Sequence, residues 1–339
     1  MNTMASDILW NKNFKRMKIT KLFTFIFGLV ILLTGCQRDL DEIVTNPVNP
    51  GNPDFWYTNI PDTASSSLLR DEIRPELERD SFQLNPGSVT VFGSPFELQV
   101  TVTGGALVSG VSQTYQGTVY LNSKLVKKKG DMIRWGLTSL GNNELLMSGM
   151  LFYTSFEGSS GPLTIGTNKN IIAATLDTPI LQSLKTYHGQ AFINGNNSWL
   201  QGTDSSLNYT ESANNFYSVF TNNQGWNMAG MAYSNAATPS TALSLALPSS
   251  FTNANTIAYI SVNNMRSVIP MTGNAVTRKF TAAVPGNLPV TVIVMSKIGS
   301  TYYLAQSQLT TDAQNNTQTI TISPAASGLQ EINSFLDTL

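Results

Sequence analysis

Thr256-Ile257-Ala258-Tyr259-Ile260-Ser261-Val262 holds β-branched, aromatic and small side chains without a single charge. A second run, Val290-Thr291-Val292-Ile293-Val294-Met295-Ser296-Lys297, has the same chemistry. Runs this short, rich in residues that suit a pleated surface, predict β-strands rather than helices. The pattern extends in both directions. After the first run the sequence predicts strands over Val276 to Ala282, Tyr302 to Ser307 and Gln318 to Ile322. Before it, strands are expected over Ala242 to Leu247, Met228 to Tyr233, Asn215 to Thr221, Ile171 to Ala174, Leu163 to Ile165, Leu145 to Thr154, Met132 to Leu137, Gly117 to Leu121, Phe96 to Val102 and Ser88 to Phe92. Between them lie Gly104-Gly105, Gly141-Asn142-Asn143 and Gly158-Ser159-Ser160-Gly161, residues that tolerate positive φ and so mark turns. Short strands separated by such turns suit a sandwich.

Two segments read as helix. Leu68, Leu69, Ile73 and Leu77 recur at helical spacing between Ser67 and Asp80, where Pro75 permits only a short or broken helix. Ile332, Leu336 and Leu339 do the same in the last segment. The polar stretch from Asn194 to Ser206 interrupts the strands. The expected fold is therefore mainly β, two tandem β-sandwich-like domains over 67–187 and 211–339, joined by a connector over 188–210 and closed by a short C-terminal helix.

The start of the chain carries an address. Lys12, Lys15, Arg16, Lys18 and Lys21 precede the apolar run Leu22 to Leu33, followed by Thr34-Gly35-Cys36. A basic start, a short apolar core and small residues form a secretory signal. The apolar run is about twelve residues, against the roughly 20 that a helix needs to span the hydrocarbon layer. Met17 begins a compact version of the same signal. Leu33-Thr34-Gly35-Cys36 resembles the lipobox of bacterial lipoproteins, in which the precursor is cut between Gly35 and Cys36 and the cysteine is lipidated. That resemblance implies a signal peptide over 1–35 and membrane attachment through lipid on Cys36. The tether over 36–66 includes Asn46-Pro47-Val48-Asn49-Pro50-Gly51-Asn52-Pro53, which lacks the apolar content to fold.

Further motifs sit on that tether. Gln37 follows the cysteine where inner-membrane retention typically uses aspartate, so an outer-membrane location is expected. Asp39, Asp41 and Glu42 resemble the acidic export signal of surface lipoproteins in Bacteroidota, which implies display toward the cell exterior. Asp62-Thr63-Ala64 resembles the O-glycosylation acceptor of the same group, with Thr63 the modified residue. Along the folded part, Asp131-Met132-Ile133-Arg134-Trp135, Asn142 to Met150 with Phe152, and Gly225-Trp226-Asn227 resemble a group of Bacteroidota lipoproteins. That resemblance implies tandem β domains and no particular activity.

The composition narrows the chemistry. Lys and Arg number 20 against 21 for Asp and Glu, a net charge of −1, and a phosphate-binding surface for nucleic acid needs clustered cations. The one basic run, Lys127-Lys128-Lys129, precedes Gly130-Asp131 and reads as a solvated hairpin tip. Cys36 is the only cysteine and His188 the only histidine. No cofactor, metal site or catalytic residue is expected, since one histidine cannot build a multi-histidine site and no carboxylate pair sits in a catalytic motif. A non-enzymatic structural or protein-interaction module in the envelope is the leading expectation. Glycan binding is the alternative, because Trp135, Trp199, Trp226 and Tyr209 lie among amides that hydrogen-bond sugar hydroxyls. Trp199 is the ring expected to be exposed for stacking.

Overall fold

The strand that decided the sequence reading, β17 (Thr256–Val262), lies in the middle of an eight-stranded sheet and is buried along its whole length. The structure is a computed structural model that describes residues 55–93, 97–110, 113–141, 144–176, 184–191, 197–202, 207–210, 216–233 and 240–339. Asn52–Leu339 forms one compact unit, mainly β, with a short C-terminal helix.

Strands are numbered along the chain. The eight-stranded sheet contains β16 (Ser240–Ala246), β17, β18 (Val268–Asn274), β19 (Lys279–Pro285), β20 (Pro289–Ile298), β21 (Thr301–Thr310), β22 (Thr317–Thr321) and β23 (Ala325–Ser327). Its order is β22-β16-β19-β18-β17-β20-β21-β23, antiparallel except for β16 with β22. Successive side chains on a strand point to opposite faces. Ala258, Ile260 and Val262 of β17 join Val290, Val292 and Val294 of β20 in one core, while Ile257 and Tyr259 join Ile293 and Met295 in another. Both faces are covered, so the run shows no polar alternation.

The earlier strands form two facing sheets. One holds β1 (Glu78–Leu84), β6 (Gly117–Val126), β7 (Leu137–Gly141), β8 (Glu144–Gly158), β11 (Lys185–Ala191), β12 (Asn197–Gln201) and β15 (Gly225–Ala232), extended by β9 (Gly161–Ile165), β4 (Leu107–Ser109) and β5 (Gln113–Thr114). The pairings β8 with β15, β15 with β11, β11 with β12, β12 with β7 and β7 with β8 return to the starting strand and close a ring. The other sheet has the order β13-β14-β10-β3-β2, with β2 (Val89–Phe92), β3 (Gln99–Thr103), β10 (Ile171–Leu176), β13 (Leu207–Thr210) and β14 (Phe216–Thr221). Met150, Phe152 and Ala229 of the first sheet pack on Val100, Val102, Ala173 and Val219 of the second.

The core that holds Ile257 and Tyr259 joins these elements to the eight-stranded sheet. Leu137, Leu146, Tyr187, Trp199 and Met228 share it with Ile257, Tyr259, Ile293 and Met295, and with three helices. Helix α1 (Ser65–Ile73) contributes Leu69 and Ile73, α2 (Lys129–Arg134) Met132 and Ile133, and α3 (Leu329–Asp337) Ile332 and Leu336. Helix α1 stops at Arg74, held extended (ψ 122°) by the proline that follows. Helix α3 matches the expected terminal helix.

Several expectations change. Met132 to Leu137 is not one strand: α2 occupies its first part, ended by Gly136 in the left-handed region (φ 62°), and β7 starts at Leu137. The Lys127–Lys129 run is not a solvated hairpin tip. Lys127 Nζ donates to the Leu176 carbonyl at 3.0 Å and Lys129 Nζ to that of Val262 at 2.8 Å. Within 188–210, expected as connector, the described residues continue β11 and form β12 and β13. The chain passes to the eight-stranded sheet after β15, because β14 and β15 pair with earlier strands. The tether also ends earlier than expected. Tyr57 exchanges hydrogen bonds with the Asn253 side chain at 2.8 and 2.7 Å, and Ser66 Oγ donates to the Asn253 carbonyl at 2.9 Å.

Candidate functional site

The residues singled out from sequence scatter. Gly35, Cys36, Asp39, Asp41 and Glu42 lie outside the described residues. Thr63 is exposed in the turn before α1, accessible to modification. Trp199 is not an exposed ring: it is 1% exposed, and its Nε1 donates to the Thr138 carbonyl beneath. Its polar neighbours misled the sequence reading, because the ring packs into the core shared with β7, β17 and β20 while Leu200 beside it faces solvent.

The lone histidine is built into the fold. Asn227 Oδ1 accepts from His188 Nδ1 at 2.9 Å and from Thr221 Oγ1 at 3.0 Å, while its Nδ2 donates to the carbonyls of Gly225 and Asn223. That fixes the amide orientation, so Nδ1 must carry the ring proton. Asn223 Nδ2 donates to Nε2 at 3.0 Å. The two ring nitrogens thus tie β11 to Asn227 of β15 and to Asn223 in the turn between β14 and β15, which leaves neither for a substrate. Two acids of the folded region are likewise engaged. Asp131 pairs with Arg134 at 2.9 Å, and Glu157 with Arg79 at 3.0 Å. Among the described residues no group of three His, Cys, Asp or Glu could hold a metal ion.

Three aromatics form a half-buried cluster. The Trp226 ring lies 5.4 Å from Trp135 and 5.3 Å from Tyr153, both edge-on. The Trp135 Nε1 is buried without a hydrogen-bond partner among the described residues.

Among the described residues, strand β2 brings two exposed large apolar side chains together at a sheet edge. It is the last strand of its sheet, paired with β3 on one side only among the described residues. Phe92 turns inward and stacks on Phe82, with ring centroids 3.8 Å apart. Val89 and Val91 turn outward and are 61% and 53% exposed. Directly paired residues share a face, so Val91 continues through Thr101, Ile172 and Phe220 in one row across four strands. Edge strands normally carry a charge, a proline or a bulge that deters pairing. Val89-Thr90-Val91-Phe92 has none of these. Sequence reasoning found the strand but not its place at the edge, which depends on long-range pairing.

No protein-family model matches the chain, and no curated protein matches it. No helix among the described residues is long and apolar enough to cross a membrane.

Proposed function

We propose that this chain is a lipid-anchored envelope protein, held through Cys36 and displayed outward, that binds a partner protein without catalysing a reaction. The observation that carries the reading is the uncharged, exposed edge of β2. An extended partner strand added there gains main-chain hydrogen bonds from the edge and apolar contacts from Val89 and Val91. The engagement of His188, Asp131 and Glu157 in structural bonds favours binding over catalysis. Lysine at position 91 places a charge on that surface. Co-purification from solubilised envelope should therefore recover a partner with the wild type and lose it with Val91→Lys. Equal recovery would refute the edge as the binding surface.

The anchor and address rest on sequence motifs and have their own tests. Cys36→Ala should abolish labelling by a palmitate probe; undiminished labelling would remove the anchor. Protease added to intact cells should digest the wild type, and replacing Asp39, Asp41 and Glu42 with alanine should protect it. Glycan binding is a second reading, now favoured by the Trp135, Trp226 and Tyr153 cluster rather than by Trp199. Glycan-array retention that disappears in Trp226→Ala would support it.

A further inference from the structure

The open edge of β2 has a fixed hydrogen-bonding phase. Gly104 N donates to the Ser88 carbonyl across the β2–β3 pair at 2.6 Å, and the register then runs without a shift from Val89 opposite Thr103 to Phe92 opposite Val100. Bonded and non-bonded pairs alternate along an antiparallel ladder, so Thr90 and Phe92 turn their main-chain groups toward β3. Val89 and Val91 turn theirs away from it. Beyond them lies no further strand among the described residues. This edge is short, because Gly87 and Gly93, both in the left-handed region (φ 71° and 74°), take the chain out of extended geometry at either end.

An edge with this phase matches itself. Two copies of β2 running antiparallel across a two-fold axis through Thr90 set Val89 of each opposite Val91 of the other. Each such pair exchanges both N–H···O=C bonds, and opposed residues share a face. The valines, 61% and 53% exposed, then cover one another. Sliding one copy by two residues would bring Gly87 or Gly93 into the ladder, and sliding it by one would mismatch both bonding groups and faces. The segment Val89-Thr90-Val91-Phe92 carries no charge, so self-pairing meets no like-charge repulsion between opposed residues.

We propose that β2 pairs with β2 of a second copy of this chain, joining two five-stranded sheets into one across a two-fold dimer. The inference rests on the reading of β2 as a recognition edge and names its partner. The axis sets the test, because Thr90 then faces its own counterpart in a non-bonded pair, with Cα atoms about 4.5 Å apart, within the reach of a disulfide. Full-length Thr90→Cys should therefore oxidise in native membranes to a covalent dimer. In Val89→Cys the two cysteines would lie on a diagonal, about 7–8 Å apart, beyond that reach. Val276→Cys, on the tip between β18 and β19, and the wild type, with Cys36 alone, give the background. The Thr90→Cys yield should exceed all three about tenfold. Sedimentation of the detergent-solubilised wild type should show a dimer that Val91→Lys weakens about tenfold or more, since a charge on the edge deters pairing. Cross-linking from position 90 no better than from 276, or a wild type that sediments as a monomer, overturns self-pairing. If such a monomer still loses a co-purified envelope protein on Val91→Lys, the recognition edge stands with a different partner. If Val91→Lys alters neither, the edge reading falls too.

Discussion

Strands β17 and β2 are both short, uncharged and rich in β-branched residues, yet they have opposite environments. Every residue of β17 is buried, between β18 and β20 and under cores on both faces. Strand β2 has one neighbour among the described residues, and its outward valines face solvent. The same local chemistry serves stability in one place and leaves a surface available for recognition in the other. What separates them is pairing order, a property of the whole fold.

That contrast can be broken by substitution. Ile260 is fully buried in the core shared by β17 and β20, so Ile260→Ala should cost about 2–5 kcal/mol in denaturant unfolding. Val91→Ala should stay within about 0.5 kcal/mol, as expected for an exposed position. Similar losses at the two sites would show that β2 is covered in the isolated protein.

A smaller effect is expected where the helices meet. A Cβ at Gly130 would lie 1.8 Å from the Leu336 carbonyl oxygen, and that backbone cannot yield without moving α3. Gly130→Ala should destabilise by about 1–3 kcal/mol, with faster amide exchange in α3. Unaltered exchange there would mean that α2 and α3 do not depend on this close approach.

The smallest effect concerns α1 on the eight-stranded sheet. Glu72 hydrogen-bonds both Lys297 and Tyr302, and the Glu72 carboxylate raises the Lys297 pKa above its ordinary value. A lysine with a raised folded pKa adds stability that is complete below its unfolded pKa and is lost as pH climbs through the folded one. Above the ordinary lysine pKa of about 10.4, the melting temperature of the wild type should therefore fall more steeply with rising pH than that of Glu72→Gln. Parallel curves would show that the pair contributes nothing measurable.

Legibility in the sequence followed locality. β17, β20 and α3 were readable because their side-chain pattern is set within the segment. The strand expected over Val276 to Ala282 came too early. Asn274 Oδ1 accepts from the amides of Val276 and Thr277, making a turn that leaves Val276 89% exposed. Strand β18 was missed because Pro270 and Gly273 break its pattern. Met132 and Ile133 read as strand although the following Trp135-Gly136 held a helix stop. Trp199 was misplaced because its burial comes from β7, β17 and β20, far away in sequence. The β2 edge and the register shift between β8 and β15 both arise from pairings between remote segments, which no local pattern encodes.

The central claim is that recognition occurs at the β2 edge rather than at apolar residues that merely face solvent. A photo-crosslinking amino acid placed at position 91, and separately at position 276 on the tip between β18 and β19, tests it in intact cells. The account predicts a discrete covalent adduct with one envelope protein from position 91 and none from position 276. Adducts of equal yield from both positions, or none from position 91, would contradict it.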